Sequence, residues 1–286
     1  MNSGKKSIFE EAMAEDSETK IVTIKRHNWR PLTGGVIKMI GLVLMVMDHL
    51  HQMFLTRGVP EWFTWFGRPV AAMFLFLCAE GFYYTRSRKR YMLHLLAGFL
   101  FMTAVNMLLS HLAPIETVNL TNNIFGTLFM AVFYMWMIDI LRGGVREKKP
   151  RPVLLAIGGM LLPLAVGAAL LFALSSQNRP ALMVLLFIPN PVTVEGGIVL
   201  VLMGVLFYLL RNIRFAELAV ILAVSVLAWF STGDAQWLMV TAVVPVFLYN
   251  GQRGRGNKYF FYIFYPAHIY LFYIIAWFLA RSTGLS

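Results

Sequence analysis

The sequence predicts an all-α fold, a polytopic transmembrane helical bundle of about nine spans with a broken helix around residues 188–197. Three observations predict it. Of the 286 residues, 58% are hydrophobic and only 14% are charged, whereas soluble domains carry about a quarter charged residues. Apolar runs approaching the roughly 20 residues that a bilayer crossing needs recur from Val36 to Ala280, separated by short polar breaks. Stretches such as Pro152 to Ile157 are continuously apolar, which excludes a membrane β-barrel with its alternating strands of about ten residues.

Residues 1–32 mix acids (Glu10, Glu11, Asp16) with bases (Lys5, Lys20, Arg26) and few apolar positions, so they read as a mobile or amphipathic cytoplasmic segment. No cleavable signal peptide is expected, because the first apolar run is followed by many more. A membrane domain over 33–281 follows, and residues 282–286 form a short external tail. Its spans are expected at Thr33 to Thr56, Phe66 to Thr85, Tyr91 to His111, Asn123 to Leu141 and Val153 to Leu174, then, after an interrupted stretch from Ala181 to Leu210, at Phe215 to Phe230, Trp237 to Tyr249 and Tyr259 to Ala280. In the interrupted stretch, Pro189, Pro191, Gly196 and Gly197 break the helix. Such a piece is either re-entrant beside a cavity or an ordinary exposed loop.

Loop charges set the expected orientation. Basic clusters lie at Arg86, Arg88, Lys89 and Arg90, at Arg142 to Arg151, at Arg211 and Arg214, and at Arg253, Arg255 and Lys258. They alternate with loops that carry few bases, which places the N-terminus inside and the C-terminus outside. The net charge of +11 is therefore a topology signal and a contact to anionic lipid, with no nucleic-acid partner expected. The one cysteine, Cys78, lies in an apolar run, so no disulfide framework is possible. No metal site is expected either.

Few polar groups stand inside the spans. Lys38 and His49 are eleven residues apart in the first, which puts them on one face about 16 Å apart. Asp48 precedes the histidine, and charges at bilayer depth mark function by default. The alternatives are a Lys38 that snorkels to the cytoplasmic surface and a His49 at the outer interface. The second span runs the other way, so depth matches Arg68 with Asp48 and Glu80 with Lys38 as neutralising pairs, whether catalytic or structural. In the last span Pro266 predicts a kink just before His268, a group able to act as acid or base near neutral pH. Asn106, Asn122, Asn123, Asp139 and Glu195 read mainly as caps and interhelical bonds.

Five segments carry a resemblance: Lys38 through His49, Arg68 through Phe82, Thr121 through Leu128, Leu248 through Gly251, and Lys258 through His268. In them the chain resembles the TraX family of membrane proteins, whose founding member is a conjugative pilin acetylase. More distantly it is similar to the acyltransferase type 3 superfamily, whose first span pairs a basic residue with a histidine at the spacing of Lys38 and His49. The resemblance implies a multi-pass acetyltransferase of the bacterial inner membrane that uses acetyl-CoA as co-substrate. It implies His49 as general base, Asp48 and Arg68 orienting it or binding the acyl donor, and Lys38 at the nucleotide end; His268 as a second catalytic group and Glu80, Asn123 and Tyr265 as substrate contacts are expected from their own chemistry. Arg86, Arg88, Arg90, Arg253, Arg255 and Lys258 would meet the CoA phosphates. The acceptor would be the amine or hydroxyl of a pilin-like peptide, a glycan or a small molecule. The rival reading is a transporter or flippase of a charged solute, which also needs charges at depth and a broken helix.

Overall fold

The computed structural model describes residues 29–213, 215–231, 234–254 and 258–282. Residues 1–28 of the expected N-terminal segment, Arg214, Arg255, the tail from residue 283 and the Lys258 side chain lie outside the described residues. Regular structure among the described residues is helical, apart from one isolated bridge between Leu32 and Tyr249.

The first helix, α1 (Gly34–Phe54), starts where the extended Thr33 accepts the Val36 N–H through its hydroxyl at 3.4 Å. It ends in a 3-10 turn, Leu55–Arg57, closed by Gly58 at φ 81°. A short α2 (Phe63–Gly67) leads through Pro69 into α3 (Val70–Tyr84), and Ser87 caps α4 (Arg88–Leu112). Next come α5 (Ile124–Arg146) and α6 (Pro150–Ser175), the latter opening on a proline whose missing N–H is harmless in a first turn. The interrupted stretch gives α7 (Arg179–Leu185) and α8 (Gly197–Leu210). After α9 (Ala216–Ser231), a 3-10 segment, Ala235–Ala242, runs into α10 (Val243–Phe247), and α11 (Lys258–Ser282) closes the chain.

Five described helices are long and apolar enough to cross a membrane: Gly34–Arg57, α4, α5, α6 and the helix from Tyr259 to Ser282. The remaining four expected spans are shorter, with 15 residues in α3, 14 in α8, 16 in α9, and 8 and 5 in the 3-10 segment and α10 that follow it. Two of the short ones sit in the interior. There α3 and α8 pack against α5, and a Cβ on Gly204 would come within 2.9 Å of both Ala131 and Leu75. Methionines fill much of this core, among them Met73, Met102, Met135 and Met203, all nearly inaccessible. By contrast α6 presents Leu154, Leu155, Leu161 and Phe172 outward, the face a lipid-exposed helix needs.

The break before α8 is built into the protein. Fully buried Asn190 folds the turn, accepting the Val192 and Thr193 N–H groups at 3.0 and 3.2 Å and donating to the Ile188 carbonyl at 2.8 Å. Thr127 of α5 donates its hydroxyl to the Glu195 carbonyl at 2.7 Å. Gly196 and Gly197, at φ 69° and 56°, then turn the chain into α8. Non-helical backbone inside an apolar bundle requires such internal partners. Pro266 lies inside α11, which is helical on both sides of it.

Candidate active site

The face of α1 that holds Lys38 lines a cavity of about 1220 Å³ between α1, α3, α4, α5 and α11. One end gathers Lys38, Arg86, Arg90, His94 and Arg253, and the other stops at Met45, Ile124, Phe125 and Tyr265. Local chain chemistry assembles the basic end. The first N–H groups of a helix have no partner within it; here Gly34 and Gly35 donate theirs to the Gln252 and Arg253 carbonyls at 2.8 and 2.9 Å. That clamp sets Arg253 near Lys38. The clamp needs Gly254 at φ 71°, where a Cβ would collide with Thr33.

Past the inner end the α1 stripe continues one turn to His49, where α11 brings His268. The His49 Nδ1 lies 2.8 Å from the His268 Nε2, with the rings 5.0 Å apart and nearly parallel at 19°. Both are buried. The partners dictate the protons. His268 Nδ1 lies 2.8 Å from the Phe264 carbonyl, which only accepts, so that nitrogen carries hydrogen and its Nε2 is the acceptor. His49 must then donate from Nδ1, which leaves its Nε2 as a bare acceptor. The Asn122 amide nitrogen approaches that Nε2 at 3.2 Å. Tyr265 lies beside the pair, its ring tilted to His49 and edge-on to His268, and its hydroxyl accepts the Ile124 N–H at 3.1 Å, leaving its own proton to point elsewhere.

Several expected partnerships are replaced. Asp48 does not hold His49; consecutive helix residues diverge by about 100°, and its carboxylate packs against Gly67, where any Cβ would collide with it. Arg68 donates to the Gln236 side chain at 3.0 Å, and its charge also acts on the Asp48 carboxylate without a close ion pair. Glu80 pairs with Arg211 at 3.3 Å, not with Lys38, because its side of α3 turns toward the end of α8. The Lys38 ammonium instead lies 5.4 Å above the Phe261 ring. Arg88 leaves the cavity: it binds Asp139 at 2.7 Å and stacks on Phe82, and the Tyr208 hydroxyl donates to the same carboxylate at 2.8 Å. Asn123 spends its amide hydrogens on the Phe99 carbonyl and the Thr103 hydroxyl, so it is not a free donor for substrate.

Of the remaining expected site residues, Arg86, Arg90, Arg253, Lys38, Glu80 and Tyr265 all line the cavity. Sequence reading missed His94 and Gln52. Each has a signal in helical spacing: His94 stands one turn beyond Arg90, and Gln52 three residues beyond His49. Among the described residues no group of three or more histidine, cysteine or carboxylate side chains gathers as a metal site.

A family model described as TraX protein matches residues 33–276, taking in every cavity and histidine-pair residue named above. No curated protein and no solved structure matches the chain.

Proposed function

The chain belongs to the TraX family, and on that premise we propose that it is an integral membrane acetyltransferase. It moves an acetyl group from acetyl-CoA to an amine or hydroxyl of a pilin-like peptide, a glycan or a small molecule. One observation carries the reading: a cavity with a basic mouth ends one turn short of a histidine whose Nε2 carries no proton and meets only the Asn122 amide. The CoA phosphates meet Arg86, Arg90, Arg253 and Lys38, with Arg255 and Lys258 flanking them in sequence, and the pantetheine arm runs inward along Leu42 and Met45.

His49 Nε2 takes the proton from the acceptor N–H or O–H while the acceptor lone pair attacks the thioester carbonyl carbon. The tetrahedral oxyanion faces the Tyr265 hydroxyl. Its collapse breaks the carbon–sulfur bond, and the CoA thiolate takes the proton back from the imidazolium.

Purified protein incubated with acetyl-CoA and acceptor is expected to release free CoA thiol. A permease using the same cavity for a charged solute would release none, and that result decides for the rival reading. Changing Arg86, Arg90 and Arg253 together to glutamine is expected to raise the KM for acetyl-CoA several-fold at unchanged expression, with dephospho-CoA binding more weakly than CoA. If neither constant moves, the basic end is a lipid contact and not the donor site.

The chain is read as crossing a bacterial inner membrane nine times, N-terminus inside and C-terminus outside, with the shorter helices completing the bundle. A C-terminal alkaline phosphatase fusion is then active. An inactive fusion alongside a fluorescent cytoplasmic reporter contradicts the orientation.

A further inference from the structure

Beyond the histidine pair, on the side away from the cavity, two carboxamides face each other. Gln52 donates to the Asn122 Oδ1 at 2.9 Å and Asn122 donates to the Gln52 Oε1 at 3.0 Å. The cavity lining stops at Met45 on α1 and at Ile124 at the start of α5, and neither amide belongs to it. Both are half-buried, and the neighbouring Asn119 and Thr121 are exposed, so the pair is reached from the end of the bundle opposite the basic mouth. Its setting is ordered from behind: Asn106 donates to the Asn122 carbonyl at 3.2 Å and is itself held by the Tyr270 hydroxyl at 3.1 Å.

We infer that Gln52 and Asn122 form the acceptor subsite, and that they select a nucleophile attached to an uncharged group that both donates and accepts hydrogen bonds. The inference rests on the acetyl-transfer reading and assigns the second substrate a place in it. The Asn122 amide now occupies the Nε2 lone pair of His49 at 3.2 Å, the position an acceptor N–H or O–H must take to be deprotonated. An arriving acceptor therefore displaces that amide and must re-pair what it breaks. Each carboxamide then needs one donor and one acceptor in return. A neutral group such as another amide supplies both. A carboxylate supplies no donor and an ammonium no acceptor, and each leaves a half-buried amide group unpaired. Asp48 packs on Gly67 and Arg68 donates to Gln236, so neither charged group bonds to the carboxamide pair. The donor thus comes from one side of the histidine pair and the acceptor from the other.

The test compares small nucleophiles of matched size with and without the neighbouring amide: glycinamide against isobutylamine, counted as free base, and glycolamide against isobutanol. Initial rates of CoA thiol release are measured on the purified full chain at saturating acetyl-CoA. The expected KM is about tenfold lower for the amide-bearing member of each pair, the factor that one neutral hydrogen bond makes. In Asn122→Asp, and again in Gln52→Glu, that ratio falls towards one, while the KM for acetyl-CoA stays at the wild-type value. Because each ratio is read within one protein, a smaller folded fraction does not alter it. Equal KM values in the wild type, or ratios unmoved in both variants, overturn the subsite and leave acetyl transfer standing. No thiol release with any of the four compounds overturns acetyl transfer, and the subsite with it.

Discussion

His49→Ala is expected to lower acetyl transfer by about 10² to 10⁴, the range that a positioned general base supplies, while the protein still inserts and binds donor. The side chain contributes little else that the fold needs. Its ring bonds only His268 and Asn122, and both keep other partners, the Phe264 carbonyl for His268 and Gln52 for Asn122. Alanine also costs less than histidine in an apolar bundle. The cavity that takes the donor ends a turn earlier, at Met45, so the KM for acetyl-CoA stays near the wild-type value. Thiol release at a near wild-type rate would falsify the assignment of His49 as base.

Glu80→Leu is expected to destabilise the folded protein by about 3–5 kcal/mol, the cost of leaving a buried charge without its counter-ion. The Arg211 and Glu80 side chains are only 14% and 17% exposed. The guanidinium centre lies 3.3 Å from the centroid of the Tyr83 ring, and Tyr84 offers it just one hydroxyl, at 3.4 Å. Neither carries a charge, and Glu217, which also interacts electrostatically with Arg211, makes no close ion pair with it. Removing both partners, Glu80→Leu with Arg211→Leu, should recover most of the loss, because apolar side chains in that place bury no charge. The measurement is the thermal unfolding midpoint in detergent for the two single variants and the double. A Glu80→Leu midpoint equal to the parent's, or a double variant less stable than either single one, shows that the pair does not neutralise a buried charge.

Much of the helical architecture was legible along the chain. Apolar runs mark α1, α4, α5, α6 and α11, since a run near 20 residues has few other solutions than a helix. The prolines and glycines around residues 188–197 announced the break before α8, because their backbone restrictions are local. The Lys38 and His49 spacing placed both on one stripe, and that stripe does line the cavity and reach the histidine pair. Less legible were the short helices. Two of them, α3 and α8 with 15 and 14 residues, are packed against α5 in the bundle, where neighbouring protein and not bilayer thickness sets their length.

Partner choice was decided only by the tertiary structure. Depth alone pairs Glu80 with Lys38 and Arg68 with Asp48, yet the observed partners are Arg211 and Gln236. Antiparallel spans fix depth, but the rotation of each helix about its axis comes from packing against all its neighbours at once, and one chain's periodicity carries no information about that. The same holds for His49 and His268, separated by 219 positions: composition puts each in a span, and only the packing of α1 on α11 brings Nδ1 to Nε2. Asn122 and Gln52 are the extreme case. Each amide is ordinary alone, and its meaning arises only where the α1 stripe meets the loop that enters α5.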